Sequence, residues 1–223
     1  MIKAVLLDVD NTLLDFNKCA MAAAHAAARD VGLVLPENIY PVFRRINDRL
    51  WHQIEQRQLT TEELYRIRWQ LIFDELGICA DGVAFEALFR AHLDTSAEPV
   101  DGAAELLAYL HGKYILCIAS NAPYDQQMQR LEKAGMLHYM SHLFVSEEIG
   151  AAKPSAAFFD ACLSALSPLQ PQEIMMIGDS LTADIAGARA CGMRTCWYRH
   201  DGETARGEAD CCVDALEEIR AVL

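Results

Sequence analysis

Three short apolar runs, each ended by a polar residue, constrain the fold of this chain more than any other feature. The runs cover residues 2–7, 114–119 and 174–177. They end at Asp8, Ser120 and Gly178-Asp179, and their length and β-branched residues favour strands over helices. Helix-forming repeats lie between them. This alternation predicts a parallel, Rossmann-like α/β sheet with a ligand crevice at the carboxyl ends of its strands.

The remaining periodic segments fit the same architecture. Weaker strand patterns cover 143–145 and 195–198, and helical repeats cover 103–110, 126–134, 155–166 and 182–191. Gly135 and Gly192 directly follow two of the helical repeats, as is typical of helix C-caps. We therefore expect four crossover helices in the α/β core.

The segment 16–97 differs from the rest because it has no convincing strand pattern. Thr60 followed by Glu63 predicts a capping box at the start of one of its helices. We interpret the segment as a helical bundle inserted after the first strand, above the crevice. The predicted division is therefore a core domain of 1–15 and 98–223 and a helical cap domain of 16–97.

Composition excludes several classes of partner. The net charge of -13 argues against binding of a nucleic acid polymer or an anionic membrane surface. No apolar run reaches the ~20 residues that span a bilayer, and the first one ends at Asp8, too early for a signal peptide. The eight cysteines are scattered without a CxxC pair, which predicts reduced thiols and a cytoplasmic protein.

Two acids at the end of the first strand suggest a catalytic site. Asp8 and Asp10 lie two residues apart, where they can face one pocket if the strand stops between them. One carboxylate can then attack a substrate while the other moves protons, and a metal ion would suppress their repulsion. From these two residues alone, several reactions stay open.

The chain resembles the haloacid dehalogenase-like (HAD) superfamily over its whole length. The motifs occur in the family's order: Asp8-x-Asp10-x-Thr12, Ser120 after a strand, Lys153-Pro154, and Gly178-Asp179-Ser180-x-x-x-Asp184. The resemblance implies an α/β core with an inserted α-helical cap of the C1 type. It also implies a phosphoric monoester hydrolase, because the dehalogenases of this superfamily lack the second acid.

The resemblance assigns roles at the first strand. Asp8 would attack phosphorus to form an aspartyl-phosphate, and Asp10 would protonate the leaving alkoxide and then deprotonate water. The implied cofactor is Mg²⁺. Its predicted ligands are Asp8, Asp179 and Asp10, the last through its backbone carbonyl.

Further roles follow from the same resemblance. Ser120 and the amide of Asn121 would bind phosphoryl oxygens, and Lys153 would balance the negative charge on the nucleophile and the phosphoryl group. Asp184 would orient a metal-bound water or Lys153. The hydroxyl of Thr12 would bond the turn that aims the two acids.

A finer resemblance concerns the substrate. Segments 130–135 and 146–154, together with cap residues 50–51, 59–64 and Arg68, look like the YjjG-type pyrimidine 5′-nucleotidases. The small phosphorylated partner would then be a nucleoside 5′-monophosphate. The alternatives are a sugar-phosphate or phosphoglycolate phosphatase, then a phosphomutase or a dehalogenase, and, outside enzymes, an idle HAD scaffold acting through protein contacts. The oligomeric state stays open.

The cap offers candidate substrate contacts, but packing explains them better. Trp51 and Trp69 could stack on a base, and Arg68 could contact polar groups. Both tryptophans lie within predicted helices that need a core. We therefore expect packing roles for them.

Overall fold

The computed structural model describes residues 1–200 and 208–223, which form two compact units. The α/β unit comprises Met1–Phe16 and Ala97–Leu223, and the helical unit comprises Asn17–Ser96. The predicted cap segment, 16–97, corresponds to the helical unit in the chain, and its role as a cap stays a prediction. Within the described residues, no helix is both long and apolar enough to cross a membrane.

The helical unit packs around an aromatic core. Its helices are α1 (Phe16–Asp30), α2 (Ile39–Glu55), α3 (Thr61–Leu76) and α4 (Gly82–Leu93). The predicted capping box is confirmed at the start of α3: the Glu63 amide donates to Thr60 Oγ1 at 3.2 Å, and the Thr60 amide donates to Glu63 Oε2 at 2.8 Å. Trp69 is fully buried against Phe85, with ring centroids 4.6 Å apart, so its packing role is confirmed.

Arg68 is also buried in the helical unit. Its guanidinium donates to both oxygens of Glu86, at 3.1 and 2.6 Å, and to Asn47 Oδ1 at 2.9 Å. These bonds stabilise the charge in an apolar surrounding. Arg68 therefore has a structural role between three helices.

The α/β unit contains a six-stranded sheet in the order β3-β2-β1-β4-β5-β6, with every pairing parallel. The strands are β1 (Ala4–Leu7), β2 (Ile115–Ser120), β3 (His142–Val145), β4 (Ile174–Gly178), β5 (Arg194–Tyr198) and β6 (Cys211–Val213). The predicted parallel, Rossmann-like core is confirmed. Strand β6 was not predicted because three residues are too short to show a period.

Strand β1 lies at the centre of this sheet and is buried on both faces. Val5 and Leu7 belong to one hydrophobic core, whereas Ala4 and Leu6 belong to the core on the opposite face. Leu7 pairs with Ile118 of β2 and with Ile177 of β4. The carboxyl ends of these three strands therefore lie side by side.

Helices and short turns connect the strands. They are α5 (Ala103–Leu110), α6 (Tyr124–Lys133), α7 (Ser146–Ile149), α8 (Ala156–Ala165), α9 (Gly187–Ala190) and α10 (Ile219–Val222), with 3₁₀ turns at Leu137–Tyr139, Pro171–Glu173 and Leu216–Glu218. One prediction needs correction. The helix predicted over 182–191 begins as a π-helical segment, Leu181–Ala186, because the amides of Asp184 and Ile185 both donate to the Ser180 carbonyl.

Candidate active site

The chain turns sharply after β1, which separates the two acids of the first motif. The carbonyl of Val9 accepts the amides of Thr12, Leu13 and Leu14 at 3.3, 2.9 and 2.8 Å. The predicted role of the Thr12 hydroxyl in this turn is wrong. Thr12 is fully buried, and no group of the described residues hydrogen-bonds its Oγ1, because backbone bonds already close the turn.

Lys153 lies at the centre of the site. Its ammonium donates to Asp8 Oδ1 at 2.7 Å, to Asp184 Oδ1 at 2.6 Å and to the Ala119 carbonyl at 2.6 Å. These bonds use all three N–H groups of the ammonium. Burial alone would lower the pKa of Lys153, but Asp184 and Asp8 outweigh burial and raise it. Lys153 is therefore a fixed cation.

Three carboxylates lie close together in this site. Oxygen atoms of Asp8, Asp179 and Asp184 all lie within 4.8 Å of one another. Burial raises the pKa of Asp8 to about 7 despite the lowering effect of Lys153, and repulsion from Asp184 adds to the shift. Burial and repulsion from Asp8 and Asp184 raise the pKa of Asp179 well above its usual range. The three carboxylates of this cluster therefore carry more negative charge than the Lys153 cation can neutralise.

Local contacts hold the two later acids. The indole of Trp197 donates to the Asp179 carbonyl at 2.8 Å, and the Ser180 amide donates to Asp184 Oδ2 at 3.1 Å. Gly178 gives Asp184 its space, since a Cβ at position 178 would lie 2.1 Å from Asp184 Oδ2. Asp184 contacts Lys153, one of the two partners that the sequence suggested for it.

Asp10 has different partners from Asp8. Its Oδ1 accepts a bond from Arg130 NH1 at 2.6 Å, and its Oδ2 accepts one from Gln127 Nε2 at 2.8 Å. The Asp10 carboxylate is not part of the three-carboxylate group found among the described residues. Asp10 is predicted to bind the metal through its backbone carbonyl. Its carboxyl group would then stay available for proton transfer. Two acids in one motif therefore occupy different electrostatic environments.

Ser120 and Asn121 lie at the end of β2. Ser120 Oγ accepts bonds from the Ala122 amide at 3.2 Å and from Gln127 Nε2 at 3.0 Å, which orients its hydroxyl proton toward another acceptor. The Asn121 side chain binds the backbone of Lys153 twice, through Oδ1 at 2.8 Å and Nδ2 at 2.9 Å. The predicted phosphate contact of Asn121 is its backbone amide, which these side-chain bonds do not use.

The comparison with known families agrees with this constellation. Residues 2–192 match the model of the haloacid dehalogenase-like hydrolases. The chain belongs to this family. The predicted superfamily and the predicted hydrolase class are therefore confirmed.

HAD-hydrolase YfnB is among the relatives of this chain that have a solved structure. HAD-hydrolase YfnB of Bacillus subtilis (strain 168) is 31% identical over 199 residues, which are 89% of this chain and 85% of YfnB. The orthorhombic crystal structure of YfnB, which is bound to magnesium, superposes with a TM-score of 0.93 and 30% identity. That superposition covers 100% of this chain and 98% of YfnB.

Two further HAD relatives are named pyrimidine 5′-nucleotidases. PynA of Streptococcus pneumoniae (strain ATCC BAA-255 / R6) is 29% identical over 197 residues, 88% of this chain and 83% of PynA. YjjG of Escherichia coli (strain K12) is 27% identical over 221 residues, 98% of this chain and 96% of YjjG.

The donor set fits the divalent metal that this HAD site was predicted to hold. Carboxylate oxygens are hard ligands of the kind that Mg²⁺ prefers. Burial is the main cause of the raised pKa values of Asp8 and Asp179, and repulsion between the neighbouring carboxylates adds to it. A divalent cation would relieve that repulsion.

Sequence analysis missed Gln127 and Arg130, which hold Asp10. A signal for them exists in the sequence. Gln127 and Arg130 share the helical spacing of the buried Leu131, so two polar residues lie on the inner face of α6. Buried polar residues on an otherwise apolar face need a partner.

Proposed function

We propose that this HAD hydrolase is a Mg²⁺-dependent phosphatase that cleaves a small phosphate monoester through an aspartyl-phosphate. The observation that supports this function most is the different surrounding of the two acids. Lys153 and two further carboxylates face Asp8, whereas Arg130 and Gln127 hold Asp10. Such a difference suits one nucleophile and one proton carrier.

The first half-reaction transfers the phosphoryl group to Asp8. Lys153 binds Oδ1 of Asp8, and the other oxygen attacks phosphorus while the bond from phosphorus to the ester oxygen breaks. Asp10 donates its proton to that departing oxygen, so the product leaves as an alcohol. The Ser120 hydroxyl and the Asn121 amide donate to phosphoryl oxygens, and Lys153 offsets the negative charge.

The second half-reaction restores the enzyme. Asp10, now ionised, takes a proton from water as the water oxygen attacks phosphorus. The bond between phosphorus and the Asp8 oxygen breaks, which releases phosphate and leaves the Asp8 carboxylate. Asp10 ends protonated, ready for the next ester.

Asp8, Asp179 and the backbone carbonyl of Asp10 would hold Mg²⁺, with Asp184 close to them. When bound, the ion would withdraw negative charge from the phosphoryl oxygens and the nucleophile. Asp184 would keep Lys153 in place through its 2.6 Å bond.

We propose a nucleoside 5′-monophosphate as the substrate. The names of PynA and YjjG support this choice, as do the cap segments that resemble pyrimidine 5′-nucleotidases. A sugar phosphate or phosphoglycolate is the competing substrate. We also propose a cytoplasmic location, supported by eight cysteines that are scattered along the sequence without a CxxC pair.

The test is release of inorganic phosphate from a panel of nucleoside monophosphates, sugar phosphates and phosphoglycolate, with Mg²⁺ or with EDTA. We expect turnover of nucleoside monophosphates with Mg²⁺ and none with EDTA. Asp8→Asn should abolish turnover and leave the fold intact. Preference for sugar phosphates would reject the nucleotidase assignment, and no turnover on any ester would reject the phosphatase itself.

A further inference from the structure

Helix α6 presents two polar side chains to the interior of the α/β unit. Gln127 and Arg130 are both completely buried, although glutamine and arginine rarely are. They lie three residues apart, which places them on one face of the helix. The cost of burying an amide and a guanidinium requires that their bonds are well made.

The bonds of these two side chains converge on Asp10. Arg130 holds Oδ1 at 2.6 Å and Gln127 holds Oδ2 at 2.8 Å, so each carboxylate oxygen has its own donor. Two donors from one rigid helix fix both the position and the rotation of the carboxyl group. Only 28% of the Asp10 side chain is exposed, which leaves a small part of it open to a substrate.

Gln127 also links Asp10 to the predicted phosphate site. Its Nε2 carries two hydrogens, of which one goes to Asp10 and the other to Ser120 Oγ at 3.0 Å. Arg130 in turn lies 3.4 Å from Gln127 Oε1, which favours the orientation that points Nε2 at both residues. Gln127 therefore hydrogen-bonds both Ser120, which would bind the phosphoryl group, and Asp10, which would protonate the leaving group.

We propose that Gln127 and Arg130 are positioning residues that hold Asp10 for proton transfer at the leaving-group oxygen. This inference rests on the proposed phosphatase function. Gln127 sets the distance between Asp10 and the phosphate contact at Ser120, and Arg130 keeps the carboxyl group from rotating away. Both residues act through the carboxyl group of Asp10, to which they donate hydrogen bonds.

Leaving-group chemistry separates this role from a purely structural one. A phenolate such as p-nitrophenolate leaves without a proton, whereas an alkoxide needs one. The value of kcat/KM includes the steps up to expulsion of the leaving group. Loss of a positioned acid therefore lowers kcat/KM for alkyl esters and leaves kcat/KM for aryl esters almost unchanged. General acid catalysis contributes about 10²–10⁴-fold.

The experiment measures kcat/KM of wild type, Arg130→Met, Arg130→Lys and Gln127→Met on p-nitrophenyl phosphate and on β-glycerophosphate. For Arg130→Met we expect a loss of about 100-fold on β-glycerophosphate and of only a few-fold on p-nitrophenyl phosphate. Gln127→Met should show the same selective loss, and Arg130→Lys should recover part of it. Gln129→Met, on an exposed position of the same helix, is the matched control and should match wild type.

A double-mutant cycle with Asp10→Asn completes the test. If Arg130 acts through Asp10, Arg130→Met should add no further loss on β-glycerophosphate in the Asp10→Asn background. Equal losses on both esters, or full additivity, would overturn the positioning role. If Arg130→Met does not fold, Gln127→Met and Arg130→Lys decide the question. The deciding quantity is then their loss of kcat/KM on β-glycerophosphate relative to their loss on p-nitrophenyl phosphate. A wild type that releases phosphate from neither of these esters nor any ester of the panel described above refutes the phosphatase function instead.

Discussion

Replacing Asp8 by Asn should make the metal-free protein more stable above pH 7. The Asp8 carboxyl is buried beside Asp179 and Asp184, and Lys153 is the cation that bonds it. Burial, opposed by Lys153 and aided by Asp184, raises its pKa from 3.8 to about 7. Asparagine keeps an oxygen that can accept the Lys153 bond but carries no charge. The substitution thus removes a destabilising charge from the folded state.

The size of the stability gain expected for Asp8→Asn follows from proton linkage. A carboxyl whose pKa rises from 3.8 in the unfolded chain to about 7 in the folded protein costs about 4 kcal/mol when ionised. Below pH 4 both states bind the proton and the cost is absent. As the pH rises toward 7, the unfolded chain releases its proton first, so the wild type loses stability through this window. Above pH 7 the loss is complete.

The assay is urea unfolding in EDTA at several pH values between 4 and 8. We expect the free energy of unfolding of Asp8→Asn to exceed that of wild type by a margin that grows with pH. At pH 8 this margin corresponds to a rise in Tm on the order of 10 °C for a chain of this size. Saturating Mg²⁺ should stabilise wild type by about 2.7 kcal/mol at 100 times its Kd, and Asp8→Asn much less.

Asp10→Asn is the matched control, because it changes the other acid of the same motif. It puts an N–H group where a carboxyl oxygen accepts a bond from Arg130 or Gln127, and should lower stability by about 1–3 kcal/mol. The two substitutions therefore act in opposite directions. The electrostatic explanation is refuted if wild type and Asp8→Asn lose stability in parallel between pH 4 and 7.

Three further predictions concern single contacts. Gly178→Ala places a Cβ 2.1 Å from Asp184 Oδ2, so we expect kcat and Mg²⁺ affinity to fall by about 10–100-fold, measured by phosphate release in a Mg²⁺ titration. Lys153→Met removes the cation from the carboxylate cluster, so calorimetry should show tighter Mg²⁺ binding while kcat falls about 10²-fold or more. In the helical unit, Arg68→Met or Glu86→Leu alone should cost about 3–5 kcal/mol in urea unfolding, and the double variant far less.

Sequence periodicity predicted the strand ends well because it reports local burial. Asp8, Ser120 and Asp179 follow apolar runs, and parallel pairing brings those ends together whatever the loops do. The π-helical segment at Leu181–Ala186 was not predictable in this way. Its shape depends on Ser180 accepting two amides while Asp184 reaches Lys153, and no local pattern encodes those contacts.

The chemical difference between Asp8 and Asp10 is a tertiary property that the motif itself does not contain. Lys153 lies 145 positions from Asp8, and Arg130 lies 120 positions from Asp10. Exchange of those distant partners would exchange the electrostatic surroundings of the two acids without a change in the motif. A chain that keeps Asp8 and Asp10 but lacks the α6 pair would keep a metal site and a nucleophile. It would lack an oriented acid, and we expect such a chain to cleave activated aryl esters far better than alkyl phosphates.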